Sequence, residues 1–169
     1  MDHHAYFQTL AAYHRLANRR LLRALESIDD ADYYGDQGLF FKSIHLTLNH
    51  ILLVDRLYHG RITGELFEVT GLGQELVHDR RQLAVDMERH GERWKDVIAG
   101  IDATRMQSVL RYISTEGEQR ELPMLVVLAH AFNHATHHRG QVSAAMTRLG
   151  QPAPVLDIPY VLTDLKAAG

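Results

Sequence analysis

Cysteine is absent from this chain. Disulfides, thiolate nucleophiles and cysteine-based zinc or iron–sulfur sites are therefore excluded, and any bound metal must take nitrogen or oxygen ligands. Long apolar runs are missing too, so no segment reads as a membrane span. The amino-terminal stretch is polar and carries no signal-like apolar region, which makes a cytoplasmic location the default expectation. Charge of one sign is not in excess: the formal net charge is -3. The basic footprint that nucleic-acid binding leaves on a sequence is not there. Phosphate-cradling glycine loops, dinucleotide fingerprints and nucleophile elbows are also missing.

What remains is an ordinary mix of apolar and charged residues over 169 positions, enough for one domain (1–169) with a sizeable core. Histidine is the outlier, at twelve residues. His3 and His4 lie at the terminus. His59, His78 and His90 sit among charged residues and read as surface. His14, His45, His50 and the group from His130 to His138 need another explanation.

Apolar spacing predicts four main helices. The first covers residues 5–28, with Tyr6, Leu10, Tyr13, Ala17, Leu21 and Leu25 on one side and the Arg15–Arg23 group as a solvated face. The second covers 43–58 or 59, opens on Ser43 as N-cap and stops at Gly60 and Gly64. Its apolar residues take up so much of its circumference that it should be central to the fold. The third covers 74–98, with Gly91 as an interior weak point. The fourth starts at Pro123, runs to Leu149 and ends at Gly150. Between the third and fourth, residues 109–114 and 119–122 alternate around Gly117 and read as a short hairpin that must pack on the helices. The cluster at 29–32 and the stretch from Gly60 to Gly73 read as connections. Glu65, Leu66, Phe67 and Glu68 are apolar enough to lie against the body, and so is the tail through Asp157, Pro159 and Tyr160. The fold class is all-α, a four-helix bundle with a hairpin-like insertion before the last helix.

The chemistry is concentrated in Asn133-His134-Ala135-Thr136-His137-His138-Arg139-Gly140-Gln141. His134 and His138 are one helical turn apart on one face, the spacing at which two imidazoles can share a divalent ion. The glutamate of a zinc-protease helix is not between them. His137, at i+3, is an equal candidate on spacing alone. His50, inside the apolar run of the second helix, needs partners for its ring nitrogens. It can find them by facing the fourth helix and sharing the ion. Asp55, Asn49, Asn133 and Gln141 are nearby candidates to orient the ligands. A lone histidine on an apolar face is more often a hydrogen-bonded core residue, and that reading is preferred for His130, His45 and His14. His45 is rotated about 140° from His50 and should point elsewhere. Tyr13 and Asn18 read as braces.

Three segments resemble one family. Tyr13-His14-Arg15-Leu16-Ala17-Asn18-Arg19-Arg20-Leu21-Leu22, then Ser43-Ile44-His45-Leu46-Thr47-Leu48-Asn49-His50 on through Asp55-Arg56, and Asn133 to Gln141 followed by Leu149-Gly150 and Asp157 are similar to the DinB/YfiT-like superfamily. The last segment is the specific one. The resemblance implies a four-helix bundle, a homodimer and a divalent metal, nickel or zinc, on three histidines. Carried over residue by residue, these are His50, His134 and His138, with His137 just outside. Thiol-dependent transferases and isomerases occur among the relatives, which implies a low-molecular-weight thiol or another small molecule as substrate and leaves the reaction open. A non-catalytic metal in a stress-responsive dimer and a metal-dependent hydrolase are the competing expectations. Neither nucleic acid nor membrane is expected as a partner.

Overall fold

The computed structural model describes residues 2–65 and 67–167, with side chains at the C-terminal end described as far as Thr163. The chain is mostly helical. Its elements are α1 (His3–Leu25), α2 (Asp30–Tyr34), α3 (Ile44–Thr63), α4 (Arg80–Ala99), α5 (Ala103–Met106), β1 (Val109–Ile113), β2 (Gln119–Pro123), α6 (Met124–Arg148) and α7 (Ile158–Ala167). The four long helices pack in a ring: α1 touches α4 and α6, and α3 touches the same two.

The helix starts follow side-chain chemistry. Asp2, Ser43 and Asp79 each accept a hydrogen bond from a first-turn amide of α1, α3 and α4, at 2.7, 3.0 and 2.7 Å. Asp79 is why α4 begins at Arg80 and not at residue 74. The segment before it is held non-helical by Asn49, whose Oδ1 accepts from the amides of Leu76 and Val77, each at 2.9 Å. Gly60 does not end α3. It lets the returning chain approach, because a Cβ there would sit 2.5 Å from the Glu65 carbonyl oxygen. The stop is Gly64, at φ 82°. The predicted hairpin forms in antiparallel register from Val109–Pro123 to Ile113–Gln119. It rests on α3 and α6. The short α2 forms at the predicted connection, α5 precedes the hairpin, and the tail, expected to lie against the body, does so as the helix α7. α7 docks on α1: Val161 is buried beside Tyr13 and Ala17, and the Tyr13 hydroxyl donates to the Leu156 carbonyl at 2.9 Å. Arg15 is not merely solvated. It pairs with Glu88 and Glu92 of α4 at 3.0 and 2.9 Å. Phe67 packs on the core under the Arg56 guanidinium, 4.1 Å from its ring centre, whereas Leu66 lies outside the described residues. Among the described residues, no helix is long and apolar enough to cross a membrane.

One polar cluster sits inside this apolar frame. Asp55 of α3 is 3% exposed and accepts from the His14 ring of α1 and the Trp94 indole of α4, both at 2.9 Å. Arg139 of α6, 1% exposed, donates to His14 Nδ1 at 3.2 Å and Asn18 Oδ1 at 3.0 Å. A guanidinium only donates, so His14 Nδ1 accepts and its proton is on Nε2, facing Asp55. All four long helices meet in this cluster. Burial pushes the Asp55 carboxyl up, but the His14 ring and the Trp94 indole outweigh it and leave it below its ordinary value. The sequence reading of Asp55 as a partner of the metal ligands is thus corrected, while Asn18 braces as expected. Removing one member leaves its buried partners unsatisfied. Asp55→Ala should lower unfolding stability by about 3–5 kcal/mol in urea denaturation. A loss under about 1 kcal/mol, the range of a surface pair, would contradict the cluster's role.

Candidate metal centre

α3 and α6 lie side by side with His50 on one and His134 and His138 on the other. The Nε2 atoms of His50 and His134 are 3.0 Å apart, and those of His138 and His134 are 3.1 Å apart. His50 and His138 are buried and His134 half-buried. All three can place a ring nitrogen within 4.8 Å of the others, so the group could hold a metal ion.

The outer nitrogens explain why the inner ones are available. His50 Nδ1 lies 2.8 Å from the Leu72 carbonyl oxygen. A carbonyl can only accept, so the proton is on Nδ1 and Nε2 is bare. His138 Nδ1 is held likewise, 2.8 Å from Gln141 Oε1. His134 Nε2 then faces two bare nitrogens and can donate a proton to only one of them. A cation between the three satisfies every lone pair. Nitrogens bound to one such ion at about 2.0–2.1 Å sit roughly 3 Å apart, as the His50–His134 and His138–His134 pairs do.

Electrostatics favours the same state. Burial pulls the His50 ring down to about 4 and the His134 ring to about 3, with the neighbouring imidazoles adding to the effect on His134. Burial also lowers His138. The neutral rings that coordination requires are present at neutral pH. Phe41 closes one side: it stacks on the His50 ring at 4.0 Å and lies 5.6 Å from that of His138. It is delivered by a turn with Gly38 and Lys42 at φ 66° and 68°. Positive φ is uncommon for a lysine. The other side is open. A cavity of about 310 Å³ is lined by His50 and His134 and extends to Tyr58, Arg61 and Tyr112.

The remaining histidines separate clearly. His137 is exposed and meets the amide of Gln141 at 3.1 Å, one step outside the cluster. His45 bonds Glu75 at 2.8 Å, and His14 belongs to the Asp55 cluster. His130 packs 5.6 Å from the His134 ring, in the cavity wall. Asn49 braces the loop and does not touch the cluster; Asn133 lines a different groove, beside α7. Of the four expected orienting groups, Gln141 alone takes that part. The Leu72 carbonyl was missed, because a backbone oxygen in a connecting loop leaves no mark in sequence. Phe41 was missed as well; the aromatic pair at 40–41 just before the Ser43 cap is its only signal.

His59 is a correction. Its sequence neighbours suggest surface, but it is 1% exposed, with its ring against Trp94 at 4.3 Å and His90 at 5.8 Å. Neither ring nitrogen has a partner among the described residues. Burial lowers it to about 4, against an upward pull from Asp55 and downward ones from His90, Arg93 and His14. In the unfolded chain the ring takes up a proton near pH 6.5, its ordinary value, while the folded ring stays neutral to about 4. Its contribution is therefore complete above that ordinary value and is lost as pH falls. His59→Leu should flatten the acid side of the stability profile by up to about 1.4 kcal/mol per pH unit, one proton's worth. Denaturation midpoints across that window read it out, and an unchanged slope would refute the assignment.

The DinB family model matches residues 1–164. No curated protein and no solved structure gives a significant match. A match over nearly the whole length agrees with the helical architecture and with a three-histidine cluster that could hold a metal, and the chain belongs to the DinB family.

Proposed function

We propose that this chain is a single DinB/YfiT-like four-helix bundle domain over residues 1–169, with a hairpin insertion, holding one divalent ion on His50, His134 and His138 and acting as a metalloenzyme on a small molecule. The observation that carries this is the convergence of three Nε2 atoms, with the outer nitrogens of His50 and His138 already committed to other partners. Neutral imidazole donors without thiolate suit nickel or zinc. An ion held there supplies Lewis acidity, the means of making a nucleophile from a water or a low-molecular-weight thiol near neutral pH. The chain's own part is to keep three rings neutral and oriented, exclude water on the Phe41 side, and leave access from the cavity.

That open side favours catalysis over a purely structural site, in which protein ligands close the coordination sphere. The thiol and the homodimer come to this proposal from the family. The stress-responsive structural dimer and the hydrolase are the readings it competes with.

Equilibrium dialysis against nickel and zinc should give one ion per chain for the wild type and none for the His50→Ala/His134→Ala/His138→Ala variant. His137→Ala should retain the ion. Gln141→Leu should weaken binding about tenfold or more, since groups that orient metal-bound imidazoles typically contribute that much. Metal binding by the triple variant equal to that of the wild type would sink the proposal.

A further inference from the structure

The cavity beside the histidine cluster has a second end. His50, Val54, Leu57, Tyr58 and Arg61 all line it, and all come from α3. Eleven residues separate His50 from Arg61, about three helical turns, so both fall on nearly the same face, roughly 16 Å apart along the axis. The far wall is the hairpin, through Tyr112, Ser114, Thr115 and Arg120.

Arg61 is held in place by aromatic rings. Its guanidinium carbon lies 4.2 Å from the centre of the Tyr112 ring and 5.1 Å from that of Tyr58. One Nη2 contact reaches the Ile113 carbonyl at 3.4 Å. No carboxylate pairs with it among the described residues. The hairpin's own arginines are engaged: Arg111 with Glu121 at 2.7 Å, and Arg120 with Glu118. Glu116, the one acid lining the cavity among the described residues, is exposed at the turn and accepts from the Thr115 hydroxyl at 2.8 Å. A guanidinium has five N–H donors in a planar fork, and among the described residues this one's polar partners are the Ile113 carbonyl and the Tyr58 side chain. Two aromatic faces already immobilise it, so little further ordering is needed to bind. Its positive charge is also felt by His130, whose ring is lowered first by burial and then by Arg61.

We propose that this cavity binds a carboxylate-bearing small molecule, with its carboxylate on the Arg61 fork and its other end directed at the histidine cluster. Val54, Leu57 and the two tyrosine rings supply an apolar middle, so the ligand is elongated, with an aliphatic or otherwise weakly polar span. About 310 Å³ is at the small end for a ligand pocket. The role of the cluster end rests on the metal reading above; the Arg61 end does not.

Titration calorimetry on metal-free and zinc-loaded protein separates the two. In the metal-free wild type, octanoate should bind about tenfold tighter than octanamide, the range of one charge-assisted hydrogen-bond set. Arg61→Gln should abolish that preference and leave octanamide binding unchanged. Arg61→Lys, which keeps the charge without the fork, should retain only part of it, and it decides the matter if the glutamine variant does not fold. In zinc-loaded protein, suberate or sebacate should outbind octanoate, and this gain should also fall with Arg61→Gln. Absence of the zinc-dependent gain in protein shown by dialysis to hold zinc overturns the direction of the ligand's far end and leaves the Arg61 site standing, whereas failure to hold zinc removes the metal reading alone. A wild type that does not prefer the carboxylate, or a preference that survives both Arg61 variants, overturns the inference whether or not zinc binds.

Discussion

The buried carboxylate of Asp55 is the constraint from which the arrangement of α3 follows. It is held by α1 through His14 and by α4 through Trp94. An ionised group at that depth is tolerable only with both partners in place, so the rotation of α3 about its axis has little freedom. His50 lies five residues earlier, about 140° around the helix. Turning Asp55 toward α1 and α4 turns His50 toward α6. Arg139 closes the same cluster from α6, and its neighbour in sequence is His138. The two helices that carry the imidazoles are thus oriented by a polar group that touches none of them.

Orientation of the rings is a separate matter, handled outside the helices. The Leu72 carbonyl and the Phe41 ring both come from connecting segments, one hydrogen-bonding the His50 imidazole and the other covering its face. Helix geometry alone would leave the ring free to turn about its χ angles and to carry its proton on either nitrogen. The loops remove both freedoms. They are in turn held by polar anchors such as Asn49, which ties the strand of chain leading to α4 back onto α3.

How much of this is legible in sequence depends on whether the signal is local. His134 and His138 stand out because i, i+4 spacing is a property of one helix, and His50 because a polar ring in an apolar run must find a partner. His59 misleads for the opposite reason. Its neighbours Arg56 and Arg61 are charged, and only the tertiary packing of Trp94 and His90 buries it. Gly60 reads as a stop, yet its lack of a side chain accommodates the Glu65 backbone while the helix continues to Gly64. The start of α4 is misplaced because residues 74–79 have a helix-compatible pattern that the Asn49 amide overrides. The hairpin and the closing helix α6 are read correctly, since alternation, a glycine turn and a proline start are all encoded within a few residues.

The hairpin is a two-stranded element, a size that holds together poorly by itself. It leans on α3 and α6 and joins the latter through the Met124 amide and the Ser108 carbonyl, 2.9 Å apart. The three imidazoles, by contrast, stand on α3 and α6, two of the four long helices. The candidate metal ligands and the far wall of the cavity thus belong to different kinds of element, long helices and a small hairpin. The residues of that far wall can therefore be replaced one by one without altering the two helices that carry the ring nitrogens.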